Sequence, residues 1–157
     1  MMALLNNKLL NKKTALEIIS GLLAAMFFYA SFSKLSNYEK AERDMKNQIF
    51  PQPIAELLTW LIPLIEILVV LLLLFPQTRK TALWASLALL IVFTAYIALI
   101  MTGIFGRIPC SCGGILQHMS YGTHLLFNLF FICISLLGIA IGNYWIYQKW
   151  FELKERS

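Results

Sequence analysis

Two cysteines separated by one residue, Cys110 and Cys112, stand in the stretch R-I-P-C-S-C-G-G-I-L, where the reactive side chains of the chain crowd together. Two residues of extended backbone span about 6.6 to 7.2 Å, at or beyond the roughly 4.4 to 6.8 Å between alpha carbons that a disulfide tolerates. A Cys110–Cys112 bridge therefore needs a bent backbone, which Gly113 and Gly114 make accessible. A bridge formed that way is strained, and a strained disulfide is easily reduced, so the pair suits exchange better than stapling. Arg107 precedes Cys110 by three residues, and the helix expected after the motif presents its positive end; both favour the thiolate. Cys110, Cys112 and Arg107 are the candidate catalytic set.

Three other chemistries stay open for the same residues. Zinc could draw on Cys110, Cys112, His118 and His124, but structural zinc sites use paired C-x2-C spacings that C-x-C with scattered histidines does not reproduce. Copper suits thiolate and imidazole ligands, and the last alternative is an inert glycine turn whose thiols pack as small hydrophobes. No metal site is assigned. Cys133 lies deep in an apolar run and reads as packing.

A second group of candidates consists of polar residues inside apolar runs. An ionised Glu66 would cost about 2.5 to 3.5 kcal/mol on insertion scales, so it is expected to be protonated or paired and directed toward other helices. His124 and Asn128 are four apart, hence on one helix face, where they serve as interhelical hydrogen-bonding groups or as a redox or quinone site. Glu66, His124 and Asn128 thus form a candidate cofactor-binding polar pocket, with quinone as the candidate cofactor. Tyr96, the most polar deep residue of its run, is expected to pack.

The elements that position these residues follow from hydropathy. Of 157 residues, 59% are hydrophobic and 13% charged, with mean hydropathy +0.72; soluble domains have about 45 to 50% and about 25%. Four apolar runs, about 15–34, 54–75, 82–103 and 121–147, are each long enough to cross about 30 Å of hydrocarbon as a helix. The expected fold is an all-α, four-transmembrane-helix bundle occupying residues 1–157 as a single domain. The first run exceeds the length of a signal-peptide core and is expected to remain as a span. Between the first two spans, Tyr38, Ala41, Met45 and Ile49 recur at helical spacing, with Glu39–Arg43 and Glu42–Lys46 at i,i+4. They predict a short extracytoplasmic interfacial helix, ended by Pro51 and Pro53, which turn the chain back into the membrane.

The net charge of +5 sits mainly in short segments between apolar runs, where it acts as a topology signal, so the expected partner is the lipid bilayer and no nucleic acid. Lys8, Lys12, Lys13, Arg79, Lys80, Lys149, Lys154 and Arg156 then lie inside. Lys34, Lys40, Arg43, Lys46 and Arg107 lie outside, three of them in an acid-rich segment. This bias predicts N-in and C-in topology in a bacterial inner membrane, with the C-x-C loop on the extracytoplasmic side, where disulfides persist.

Lys34 at the end of the first span, P-L-I-E at Pro63 to Glu66, P-C-S-C-G-G before the fourth span and H-L-L-F-N at His124 to Asn128 together resemble the methylamine-utilisation MauE/DoxX group of redox-associated bacterial membrane proteins. The resemblance covers nearly the whole four-span core, with the cysteine segment its most specific part. It implies a membrane bundle for disulfide formation or maturation of extracytoplasmic proteins, alongside a thioredoxin-like periplasmic partner. The methylamine pathway need not carry over with the family name. C-x-C departs from the C-x-x-C of the similar disulfide oxidase and vitamin K epoxide reductase bundles, so a bound quinone does not transfer from them. The alternative function is a non-catalytic membrane subunit that docks and stabilises a partner enzyme or secretion component.

Overall fold

In a computed structural model the described residues are 2–104 and 121–155, with side chains described over 12–104 and 122–143. All the regular structure among them is helical: α1 (Met2–Ser36), α2 (Tyr38–Lys46), α3 (Gln52–Leu74), α4 (Arg79–Met101) and α5 (Tyr121–Glu155). Four segments are long and apolar enough to span a membrane: Lys12–Ser36, Gln52–Leu74, Arg79–Met101 and Gly122–Asn143. They reproduce the four expected spans to within a few residues at each boundary.

The spans alternate in direction around a ring. α1 packs chiefly on α3 and α4 on α5, with α1–α5 and the sparser α3–α4 seam closing the bundle. Each helix contributes one buried stripe at helical spacing. On α3 the stripe runs through Ala55, Thr59, Pro63, Glu66, Val70 and Leu73, and on α5 through Asn128, Phe131, Ser135 and Ile139. Lipid is as apolar as leucine, so association rests on close packing rather than on escape from water. Small residues permit it: Ala24, Ala55, Ala82, Ser86 and Ser135 are all buried. At Gly138 a β-carbon would stand 2.9 Å from Ile19 Cγ2 and 3.1 Å from a Leu83 methyl, so glycine there sets the approach of α5 to α1 and α4. The opposite faces carry Leu64, Leu68, Trp84, Val92, Phe130 and Leu137, all exposed, which places them against the bilayer.

Buried hydroxyls bond backward along their own helices, as Ser20 does to the Leu16 carbonyl (2.8 Å), Thr59 to Ala55 (2.8 Å) and Ser86 to Ala82 (2.8 Å). Between α3 and α4 the chain turns in a few residues, where the Thr78 hydroxyl donates to the Leu72 carbonyl at 2.7 Å. α4 ends as Gly103 adopts φ +71°, a conformation that glycine takes without steric cost.

The interfacial helix forms as α2, shorter than the pattern from Tyr38 to Ile49 that predicts it, because the chain leaves helical geometry after Lys46. Both i,i+4 pairs are present, Lys46 to Glu42 at 2.8 Å and Arg43 to Glu39 at 3.9 Å, and Lys46 also reaches Glu56 of α3 at 3.2 Å. Met45 is buried and Tyr38 lies against the Trp60 ring of α3, so α2 is fastened to the bundle by its apolar face. Pro51 caps α3 and Pro53 occupies its first turn, as their fixed φ favours.

Candidate functional site

The polar residues of the spans converge at one end of the bundle, where α1 ends, α3 begins, α4 ends and α5 begins. Lys34, in the last turn of α1, points its ammonium at Glu66 of α3, with Nζ to Oε1 at 2.5 Å. Its stripe position, following Phe27 and Ser31 at helical spacing, turns it inward, and the negative end of the α1 dipole favours a cation there. The Lys34 side chain is 17% exposed and that of Glu66 is 2% exposed. Glu66 Oε2 is buried and has no hydrogen-bond partner among the described residues. The sequence requires Glu66 to be neutral or paired, and it is paired. Lys34, counted among the outer topology cations, also turns its ammonium toward the bundle interior, where the buried Glu66 carboxylate pairs with it.

Beside the pair lies a cavity of about 310 Å³ reached by residues of every helix. Its polar lining consists of Lys34, Gln48, Glu66, Tyr96, His124 and Asn128. Gln48, in the turn after α2, is buried; its amide donates to the Asp44 carbonyl (3.1 Å) and its Oε1 accepts from the Tyr96 hydroxyl (2.6 Å). The Tyr96 ring stacks on Phe50, with centroids 5.5 Å apart and planes 15° from parallel. Tyr96 is therefore a hydrogen-bonding member of the site as well as a packing residue. Asn128 is 4% exposed, and its Nδ2 lacks a partner among the described residues. His124 is half-buried one turn before it.

The structure thus brings Glu66, His124 and Asn128 to one cavity, as their placement on inward faces implies. It adds Lys34, Gln48 and Tyr96. Lys34 had a signal in its register with Ser31 and Phe27; Gln48 had none, since it acts from an irregular turn. Arg107, Cys110, Cys112 and His118 lie outside the described residues. The chain enters their segment after α4 and leaves it into α5, and both flanking helix ends line the cavity. Cys133 is exposed on the outer face of α5, away from the cavity lining. Among the described residues no three His, Cys, Asp or Glu side chains gather as a metal set.

Four membrane-spanning helices enclosing a charged and hydrogen-bonding cavity at one end define a multi-pass membrane protein with an internal polar site. Residues 12–141 match the family described as methylamine utilisation protein MauE, and the chain belongs to that bacterial membrane family. The match narrows the broader MauE/DoxX resemblance to MauE. No curated protein and no solved structure matches the chain.

Proposed function

We propose that this protein is a thiol-disulfide exchange protein of the bacterial inner membrane that serves maturation of extracytoplasmic proteins through Cys110 and Cys112. In the oxidising direction for the bundle, the thiolate of one cysteine attacks a partner disulfide and forms a mixed disulfide, releasing one partner thiolate. The second cysteine then attacks the first, closing the Cys110–Cys112 bond and releasing the other partner thiolate. Two electrons pass to the partner, which leaves as a dithiol; the same steps reversed carry electrons the other way. Arg107 stabilises the attacking thiolate. The partner is a soluble, thioredoxin-like protein of the periplasm, on the side to which N-in and C-in topology assigns the loop.

The observation that carries this reading is the C-x-C pair inside the residues matched to the family, a few residues before α5, whose His124 and Asn128 line the cavity. Alkylation trapping tests it. Cys112→Ser should accumulate a mixed disulfide through Cys110, or Cys110→Ser one through Cys112. If neither variant traps a partner and the double serine variant still supports partner assembly, the protein is instead a docking subunit.

A further inference from the structure

The cavity has a polar end and an apolar body, and its opening is set by the α3–α4 seam. Leu58, Ile62 and Ile65 of α3 and Val92 and Phe93 of α4 line it, and Val92 is 61% exposed on the bilayer-facing surface. A residue that lines the cavity and also faces lipid marks a mouth opening sideways into the hydrocarbon. α3 and α4 meet more sparsely than α1 with α3 or α4 with α5, so the mouth falls at a loosely packed seam. A ligand arriving through it is dissolved in the membrane and carries no net charge, since hydrocarbon excludes ions.

The polar end specifies the head of that ligand. Lys34 Nζ and Asn128 Nδ2 are donors and Glu66 Oε2 is an acceptor; Asn128 Nδ2 and Glu66 Oε2 are buried without partners among the described residues. Buried polar atoms are normally hydrogen-bonded, and two such atoms on side chains that line one cavity indicate groups kept for something that binds there. The complementary head carries an oxygen that accepts from Asn128 Nδ2, together with either a hydroxyl that donates to Glu66 Oε2, as in a quinol, or a second carbonyl that accepts from Lys34 Nζ, as in a quinone. The stacked Phe50–Tyr96 pair, with Phe27, Phe93 and Phe127, supplies flat aromatic walls. About 310 Å³ lies at the small end of ligand-pocket sizes, room for a single ring.

We propose that the cavity beside Lys34 and Glu66 binds a flat, neutral, membrane-soluble ring bearing carbonyl or hydroxyl oxygens, the chemical class of quinones and quinols, with its head at Asn128 and Glu66 and its tail leaving between α3 and α4. This deepens the exchange reading by supplying a ligand class for the bundle, yet it rests on the cavity alone and holds whether or not Cys110 and Cys112 exchange.

Purified full-length protein in nanodiscs, titrated with decylubiquinone and followed by quenching of intrinsic fluorescence, tests it. Binding should saturate at one molecule per chain, and Asn128→Leu should weaken it at least about tenfold. Val92→Trp, a change on a lipid-facing surface that folding tolerates, should also weaken it by narrowing the mouth. The Cys110→Ser/Cys112→Ser protein should bind as the parent does; that result with failed partner trapping sinks exchange and leaves the site intact. Non-saturating partition, equal affinity in both cavity variants, or displacement by decanol as effective as by unlabelled quinone would overturn the proposal, the last by marking a site for lipid tails.

Discussion

Replacing Lys34 by methionine removes the only partner, among the described residues, of a carboxylate that is 2% exposed. Breaking a buried pair from one side costs about 3 to 5 kcal/mol, because the remaining charge is left in a medium that does not solvate it. Proton uptake limits the loss. Protonating a carboxylate whose solvent value is near 4.3 costs about 3.7 kcal/mol at pH 7, falling by about 1.4 kcal/mol per pH unit. Lys34→Met should therefore lose about 3 to 4 kcal/mol at pH 7 and about 1 kcal/mol at pH 5. In the variant the folded chain holds a proton that the unfolded chain releases above about 4.3, so the stability deficit grows as pH rises. Glu66→Gln should cost less, about 1 to 2 kcal/mol, since the amide oxygen still accepts from Nζ and the long lysine stem can carry its ammonium toward the interface. Reversible unfolding in mixed micelles with increasing dodecyl sulfate, followed by far-ultraviolet circular dichroism at pH 7 and pH 5, measures both. Equal, pH-independent losses in the two variants, or strict additivity in Lys34→Met/Glu66→Leu, would refute the pairing argument.

Gly138→Val should destabilise the bundle by about 1 to 3 kcal/mol through overpacking, since even a β-carbon there would meet Ile19 at 2.9 Å. Gly21→Ala, with nothing within 4 Å, should be neutral or stabilising in the same unfolding assay. Asp44, on α2 outside the spans, has its carboxyl raised above the usual carboxylate range by burial, against the opposing pull of Lys40 and Arg43. Its contribution is fullest at low pH and is lost as pH rises through its folded value, so Asp44→Asn should flatten that part of the stability profile and remove one carboxylate titration from the infrared spectrum.

The spans were legible because hydrocarbon imposes length and apolarity on every helix that crosses it, and Gln52–Leu74 or Arg79–Met101 satisfies both without tertiary information. Glu66 was legible for the same reason in reverse: a carboxylate in an apolar run needs an explanation, and the inward stripe supplies it. The partner was harder to read, because Lys34 at a span end looks like an interfacial topology charge until α1 and α3 are placed side by side. Gln48 and the hydrogen-bonding role of Tyr96 depend on how the turn after α2 folds over the α4 end. That is a long-range packing outcome with no periodic signature. α2 came out shorter than its pattern because Ile49, though at helical spacing, falls in the irregular turn before Pro51.

The buried ion pair is poorly explained by stability alone. An apolar pair of similar volume in its place is commonly neutral or stabilising by about 1 to 4 kcal/mol, so a bundle selected only to persist in lipid has little use for it. Among the described residues the site also leaves Glu66 Oε2 and Asn128 Nδ2 without partners beside the cavity, an arrangement that lowers stability further unless something completes it. Lys34 fixes Glu66 by one oxygen and leaves the other without a partner among the described residues, on a side chain that lines the cavity, as a preorganised binding group requires. If Lys34→Met/Glu66→Leu folds at least as stably as the parent but no longer takes up decylubiquinone, the pair exists for the ligand and the bundle bears its cost. A double variant that is both less stable and equally competent to bind would place the pair among the structural contacts and leave the cavity's head to Asn128 and His124.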